Sequence, residues 1–239
     1  MANTNEVLWW MIQQAAEHSA DARLQRLFGR YEEKRIGKAY GNIWRPLFYP
    51  GTWTPVKFED IASFPDYNQH FVYAITCDKE LEQVPGIAAQ NRVGFCDPRP
   101  LSPACVTHQL MGIRFLQRSE CGNPDELQAT VEKLQQRIHR QLTWDPRVVD
   151  VYLQRVLMLA ESGDARSIKP IWVQNAMEAQ RPDGGWSGIE PLLPLGAERY
   201  LAFGSRGFTI IRSPVSDFHA TAQGVLLFSI LVQAATDSQ

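Results

Sequence analysis

The chain has 239 residues, enough for one large domain or two small ones. It is 44% hydrophobic and 21% charged, as expected of a folded globular protein, and its formal net charge of −2 gives no electrostatic reason to expect a nucleic acid or an anionic membrane as partner. No apolar stretch approaches the roughly 18 residues of a membrane span, because the longest, 224–235, has the size of a buried core helix.

The amino-terminal segment 1–6 is polar and lacks the basic and apolar regions of a signal peptide. This favours a cytoplasmic location, with a periplasmic location left open if a signal peptide has been removed. Four cysteines do not make a disulfide scaffold in a chain of this length, and no two of them have C-x-x-C spacing. Cys96 and Cys105 bracket a proline-rich loop, so an oxidising compartment would allow them to form a disulfide.

Apolar periodicity predicts helices over 6–18 and 20–34, followed by an aromatic-rich loop at 44–55 whose three prolines exclude a continuous helix. The aromatic side chains of this loop either bind a ligand or pin the loop to the core. From residue 64 onward helical segments alternate with turns rich in glycine and proline, and two of them, 126–142 and 168–179, are predicted as returning helices.

Four polar residues recur along the chain, and each opens an apolar helical run. The intervals between neighbours are 42, 42 and 69 residues, and a repeat of about 40 residues is enough for two helices and their turns. If the repeats stack in a ring, the four side chains meet near its centre, where they are predicted to be the catalytic residues: Asp66, His108, Asp150 and His219.

Positions i and i+4 lie on one face of a helix, so a second polar layer is expected four residues after three of these positions. His70, Gln154 and Gln223 are therefore predicted to bind substrate. Arg114 and Arg155 lie on a neighbouring, partly inward face, where they are expected to neutralise the carboxylates, and Arg155 is also predicted to bind substrate.

Asp66 and Asp150 also have a simpler explanation, because aspartate is a strong N-cap and its charge is favoured by the helix dipole. This explanation fits His108 and His219 less well, because a cationic histidine is disfavoured near a helix N-terminus. A central functional pocket and helix capping both stay open.

Histidine and carboxylate side chains suit zinc, iron or manganese. His108, Asp150 and His219 are therefore predicted as ligands of a divalent metal, with an acid/base pocket as the alternative. A Cys105–His108 dyad is a further interpretation, against which a structural role for Cys105 is the commoner outcome. The chain has no Gly-x-Ser-x-Gly elbow, Walker loop or Gly-x-Gly-x-x-Gly fingerprint.

The segment 180–186, Gln-Arg-Pro-Asp-Gly-Gly-Trp, fits the Gln-x3-Gly-x-Trp motif of the terpene cyclase and protein prenyltransferase superfamily, which this chain resembles over about 65–235. The resemblance implies a tight turn after an outer helix, with Gln180 capping backbone groups and Trp186 packing over the turn. It also implies an α/α toroid of helical hairpins, incomplete at this length, and a pocket to which Trp186 contributes.

The catalytic motifs of that superfamily are not matched. The Asp-x-Asp-Asp acid motif of class II terpene cyclases is absent, and Asp150-Val-Tyr lacks the cysteine of the prenyltransferase zinc site. Cys105 and His108 do not have the spacing of the zinc ligands in lanthipeptide cyclases. The resemblance therefore implies the fold of that superfamily but not its catalytic chemistry.

Together these observations predict an all-α chain forming one α/α-toroid domain over 1–239, with helices and an aromatic loop in 1–63 and the repeat region in 64–239. A long irregular loop at 181–214, with a short hairpin around 199–211, is expected to cover one end as a lid. The predicted function is an enzyme, cyclase-like or transferase-like, acting on a small or isoprenoid/lipid-like substrate. The alternative is a non-catalytic binding or scaffold protein that holds a partner with the toroid surface and with Trp44, Phe48 and Trp53.

Overall fold

The computed structural model describes residues 6–36, 42–52, 54–98, 102, 104–145, 150–197, 199–204, 207–212 and 215–237. Most of them are helical. In chain order the α-helices are α1 (Glu6–Ser19), α2 (Ala22–Tyr31), α3 (Arg45–Phe48), α4 (Phe58–Ile61), α5 (Asp66–Thr76), α6 (Lys79–Glu82), α7 (Pro85–Gln90), α8 (Cys105–Arg118), α9 (Pro124–Trp144), α10 (Asp150–Glu161), α11 (Pro170–Glu178) and α12 (Phe218–Thr236). A π-helical turn (Glu32–Ile36) extends α2, and two 3₁₀ segments cover Val93–Cys96 and Ala165–Ser167.

The four helices that carry the repeated polar residues are neighbours in space. Helix α5 packs against α8, α8 against α10, and α10 against α12, which also packs along α1. Helix α9 contacts both α8 and α10, while α2, α7 and α11 pack against α1, α5 and α10 respectively.

The helix starts follow the capping rules at some positions and not at others. The Asp217 carboxylate accepts from the Ala220 backbone N–H at 2.8 Å, and Asn123 caps α9 in the same way ahead of Pro124. Asp66 does not cap α5, because Pro65 occupies the N-cap position and Asp66 is the first helical residue. Asp150 Oδ1 accepts from the neighbouring Val151 N–H at 2.8 Å.

The described chain is mostly helical, in agreement with the predicted all-α class, but the segment 181–214 is more regular than the predicted loop. It contains a three-stranded antiparallel sheet of β1 (Glu190–Gly196), β2 (Arg199–Gly204) and β3 (Gly207–Ile211). The predicted hairpin is β2–β3, with Leu201 opposite Ile210. Period-two alternation was obscured in β1 by its two prolines and by irregular register against β2.

The segment 180–186 forms a tight turn after α11. Gln180 Nε2 donates to the Gly184 carbonyl at 2.8 Å, and Gly184 has a φ of +85°, which favours glycine. Trp186 Nε1 donates to the Ala176 carbonyl at 2.7 Å, and its ring lies so close to Gly224 that a Cβ there would sit 2.5 Å from Cε3. The turn therefore fixes α11 against α12.

Aromatic side chains of the segment 44–55 belong to the core. Trp44 and Phe48 are buried, so these two aromatic side chains anchor the segment to the core and do not form a binding surface. Trp53 lies outside the described residues.

Helix α12, with 19 residues and a mean hydropathy of 1.4, is long and apolar enough to cross a membrane. Its packing against α1 and α10 and its buried Gln223 are those of a core helix.

Candidate active site

A cavity of about 290 Å³ lies where α1, α5, α8, α10 and α12 converge, and two of the four repeated polar residues, His108 and His219, line it. Six of its ten lining residues are apolar or aromatic. The apolar side chains are supplied by Val7, Leu8, Met11, Phe71 and Met111, and the ring of Tyr67 completes this part. Each of the four helices α5, α8, α10 and α12 adds one polar side chain: Asn68, His108, Gln154 and His219.

His219 is paired with Asp150 at the edge of this cavity. The distance between His219 Nδ1 and Asp150 Oδ2 is 3.3 Å, and the Gln223 amide lies 3.4 Å from the other ring nitrogen. A carboxylate can only accept, so Nδ1 presents its proton to Asp150, while Nε2 faces the Gln223 NH₂ group, which can only donate. Asp150 therefore fixes the tautomer of His219, as the carboxylate does in acid/base pairs of enzymes.

His108 is held in the complementary way by the backbone of its own helix. Its Nδ1 donates to the Ala104 carbonyl at 2.8 Å, which leaves Nε2 as an electron-pair donor, and the Tyr67 ring lies 4.2 Å away between centroids. Burial lowers the pKa of His108 to about 4, with a further decrease from His219 and a partial offset from Asp150. His108 is therefore neutral at pH 7 and electrostatically coupled to the Asp150–His219 pair.

A second cavity of about 330 Å³ adjoins the first, and the two share the side chains of Tyr67 and His108. Asp66 lines this second cavity and is otherwise exposed to solvent. The structure thus brings His108, Asp150 and His219 together and places Asp66 on the opposite side of Tyr67 and His108.

The predicted substrate-binding residues do not lie together in the structure. Gln154 lines the first cavity, and Gln223 is fully buried behind His219. His70 is fully buried between helices, where its Nε2 bonds Asn91 Oδ1 at 2.8 Å and burial lowers its pKa to about 4. Trp186 is in the core at the 180–186 turn, away from both cavity walls.

The two arginines expected to neutralise Asp66 and Asp150 bind other carboxylates. Arg155 is 3% exposed and pairs with Asp145 at 3.1 Å, while Arg114 pairs with Glu161 at 3.1 Å. Neither is part of the described wall of either cavity.

Asn68 is a polar cavity residue that the sequence did not predict, and its neighbour Tyr67 lines the same cavity. Successive helical residues turn by about 100°, so Asn68 lies on nearly the opposite side of α5 from Asp66. The repeat identified the correct turn of α5 but the wrong face. The apolar residues Tyr67 and Phe71, four apart, were the signal for the face that lines the cavity.

The Cys105–His108 dyad is excluded, because Cys105 forms a disulfide with Cys96 and has no thiol. Cys77 is bonded to Cys121, so all four cysteines are paired. The Cys96–Cys105 bond is the one that the sequence allowed in an oxidising compartment.

A second histidine–carboxylate pair lies outside the cavity. His139 Nε2 is 2.7 Å from Asp164 Oδ2 and 2.8 Å from Ser167 Oγ. A catalytic triad uses the two ring nitrogens for different partners, whereas here one nitrogen contacts both. This cluster therefore joins α9 to the turn before α11 and has no relay geometry.

No group of three or more His, Cys, Asp or Glu side chains spaced to hold a metal ion occurs in the described part of the chain. Metal binding by His108, Asp150 and His219 stays a prediction.

Comparison of the chain with known protein families, with curated proteins and with solved structures finds no match.

Proposed function

We propose that this protein is an enzyme that transfers protons to and from an uncharged, mainly apolar small molecule bound in the first cavity. The observation that carries the proposal is the pairing of His219 with Asp150 beside a neutral His108 in a largely apolar chamber. Histidine in such a setting serves as general base and then as general acid.

The two imidazoles favour proton transfer over covalent catalysis. His108 is neutral and keeps one unprotonated ring nitrogen, His219 is oriented by Asp150, and the described wall of the first cavity has no serine, threonine or cysteine that would act as nucleophile. The supported reactions are therefore proton abstraction from carbon or activation of a water molecule. Asp150 would stabilise the imidazolium that forms on His219 during the reaction.

The wall composition supports an uncharged substrate. Among the described residues, no lysine or arginine lines either cavity. A phosphate or diphosphate would lose its hydration there without gaining a cationic partner. An isoprenoid or lipid-like molecule without a phosphate group is compatible with the apolar side chains.

The fold proposal is an incomplete α/α toroid related to the terpene cyclase and prenyltransferase superfamily. It is supported by the succession α5, α8, α10 and α12 around the cavity, with α9 and α11 on the periphery, and by the turn at 180–186. The proposal concerns the architecture, because the catalytic motifs of that superfamily are not matched in this sequence.

A zinc, iron or manganese ion bound by His108, Asp150 and His219 is the alternative chemistry for the same residues. Two imidazoles and one carboxylate are a donor set of catalytic zinc sites, and such a metal would activate a bound water. Elemental analysis of protein purified without chelator, beside the His108→Ala/His219→Ala variant, tests this. Near-stoichiometric metal that is lost in the variant would establish it.

The test of the proposed function is a screen of uncharged esters, amides, lactones, ketones and enones for chemical change by the purified protein, read by NMR and mass spectrometry. Any turnover is expected to fall at least about 100-fold in Asp150→Asn and His219→Asn, in line with the usual contribution of general acid–base catalysis. His139→Asn is the matched control, because it removes the histidine of the other His–Asp pair. Compounds that bind in the cavity and are never altered would favour the non-catalytic binding protein.

A further inference from the structure

Asn68 is a buried polar side chain without a partner. It is 2% exposed, lines the first cavity, and makes no side-chain hydrogen bond to any described residue. Its two polar atoms retain some accessible surface, unlike the enclosed unpaired atoms elsewhere in the chain such as His70 Nδ1. Because the residue as a whole is hidden from bulk solvent, this amide faces the cavity.

Gln154 presents a second amide to the same space. It is 3% exposed, and the Thr107 hydroxyl, whose single proton is shared with the Ala104 carbonyl at 3.0 Å, lies 2.8 Å from its Oε1. This contact orients the side chain and leaves the NH₂ group without a partner among the described residues. Helices α5 and α10 thus each supply one N–H donor group to the cavity.

A buried amide without a hydrogen bond costs about 1–3 kcal/mol. Two such groups that face one cavity can both be paired by a single bound acceptor. We infer that Asn68 and Gln154 form a binding site for the carbonyl oxygen of an uncharged ketone, ester or amide. This inference deepens the proposed function and rests on it.

The chemistry of the cavity selects a carbonyl compound. A pure hydrocarbon would leave both amides unpaired, and a carboxylate would find no cation in the described wall. Amide donors at a carbonyl oxygen also stabilise the negative charge that develops there when a base removes a neighbouring proton or directs water at the carbon. His108 and His219 line the same cavity and would be those bases.

Affinity for matched probes tests the inference without requiring turnover. Cyclohexyl methyl ketone and isopropenylcyclohexane differ in the replacement of C=O by C=CH₂ and have similar shapes. The wild-type protein is expected to bind the ketone at least about tenfold more tightly, the effect of roughly one to two neutral hydrogen bonds. Binding would be measured by NMR titration, with the side-chain amide signals of Asn68 and Gln154 followed directly.

The variants Asn68→Leu and Gln154→Met keep side-chain size and remove the donors. Both are expected to remove most of the preference for the ketone, whereas Gln135→Met, which replaces an amide bonded to Ser162 outside the cavity, is expected to retain it. Asn68→Leu is also expected to leave the unfolding temperature unchanged or raised, because it removes an unpaired buried polar group. That readout shows whether the variant is folded.

Equal affinity of the wild-type protein for ketone and alkene, as expected if water pairs the two amides, would overturn the inference. Failure of the ketone to bind at millimolar concentration would overturn it as well. A ketone preference that depends on Asn68 and Gln154, in a protein that turns over no carbonyl compound, would support the carbonyl site and contradict the proposed enzymatic function. The two proposals therefore fail separately.

Discussion

At the scale of single residues, the chain uses buried histidines in two different ways. His70 has no exposed surface and is enclosed between α5 and α8, with Asn91 as its hydrogen-bond partner. His108 faces two cavities and retains an accessible ring nitrogen. The same physical cause, burial, keeps both rings neutral, but only His108 has space beside it for a substrate.

Stability is expected to decrease on acidification because of these two residues. Their pKa values of about 4 in the folded protein are below the value of about 6.5 for an unperturbed histidine, so the unfolded chain binds protons more tightly. The histidine contribution is fully present above pH about 6.5 and is lost as the pH falls toward 4. For fully buried His70 the expected slope is about 1.4 kcal/mol per pH unit.

Urea unfolding at pH 7, 6 and 5 measures this dependence. His70→Gln, which retains a polar group for Asn91 and does not titrate, is expected to reduce the slope. A slope that is unchanged in this variant would show that other groups cause the acid sensitivity.

At the scale of helices, the contact between α5 and α8 depends on the absence of a side chain at Gly112. A Cβ at this position would lie 2.5 Å from His70 Cε1 and closer still to Nδ1. The glycine thus admits the imidazole between the two helices. His70 and Gly112 each lie four residues after a repeated polar residue, Asp66 and His108, but this spacing does not show that the imidazole fills the space left by the glycine.

Gly112→Ala is expected to destabilise the protein by about 1–3 kcal/mol, the usual effect of overpacking a core, because the buried His70 ring cannot move aside. Gly29→Ala is the control, since Gly29 is also helical and nothing lies within 4 Å of its added Cβ. The control is expected to gain about 0.5–1 kcal/mol from helix propensity. Chemical denaturation of both variants measures the difference, and equal stability of the two would contradict the packing argument.

The sheet is an element that the helical body carries as an insertion. Its two connections meet at one place, because the Asp217 N–H donates to the Trp186 carbonyl at 2.9 Å and the Gly188 N–H donates to Asp217 Oδ2 at 2.5 Å. Phe208 and Ile210 are 70% and 61% exposed, so the sheet adds little to the common core. Apolar surface of this kind marks a place of contact rather than a structural support.

Replacement of residues 190–212 by a short glycine–serine linker is therefore expected to leave the helical body folded. Far-UV circular dichroism should retain the helical signal, and the unfolding midpoint should change by only a few degrees. Loss of cooperative unfolding would show that the sheet is part of the core. If the sheet acts as the predicted lid, ketone binding in the folded variant is expected to become faster in both association and dissociation.

At the scale of the whole molecule, the helices could be predicted from the sequence more accurately than the residues that line the cavity between them. Helix α5 begins at Asp66 and α11 (Pro170–Glu178) lies within the predicted 168–179, because apolar periodicity and local start signals are properties of neighbouring residues. His108 and His219 could be predicted because polar residues at the start of apolar helices are conspicuous. Asn68 could not be predicted as a cavity residue, because where α8 and α10 pack decides which face of α5 lines the cavity.

The disulfides illustrate the same limit over a longer distance. Cys96–Cys105 closes a short loop that could be recognised from spacing, whereas Cys77–Cys121 joins residues 44 apart that only the folded chain brings to a Cα separation of 5.8 Å. Cys77 ends α5 and Cys121 follows α8, so this bond ties the carboxyl ends of two cavity helices. Pairing of all four cysteines favours an oxidising compartment over the cytoplasmic location expected from the amino-terminal segment.

The two disulfides are expected to affect different properties. Chain entropy assigns about 4 kcal/mol to the longer loop and about 2.5 kcal/mol to the shorter one, so Cys77→Ser/Cys121→Ser should lower the unfolding temperature more than Cys96→Ser/Cys105→Ser. Cys105 begins α8 and lines the second cavity next to His108. Removal of the Cys96–Cys105 bond should therefore weaken ketone binding more strongly than the accompanying loss of stability alone would. Thermal unfolding and ketone titration of both double variants separate the two effects. If the variant that loses more stability also loses more affinity, the expectation is contradicted, because a disulfide that only stabilised the fold would change binding and stability in parallel.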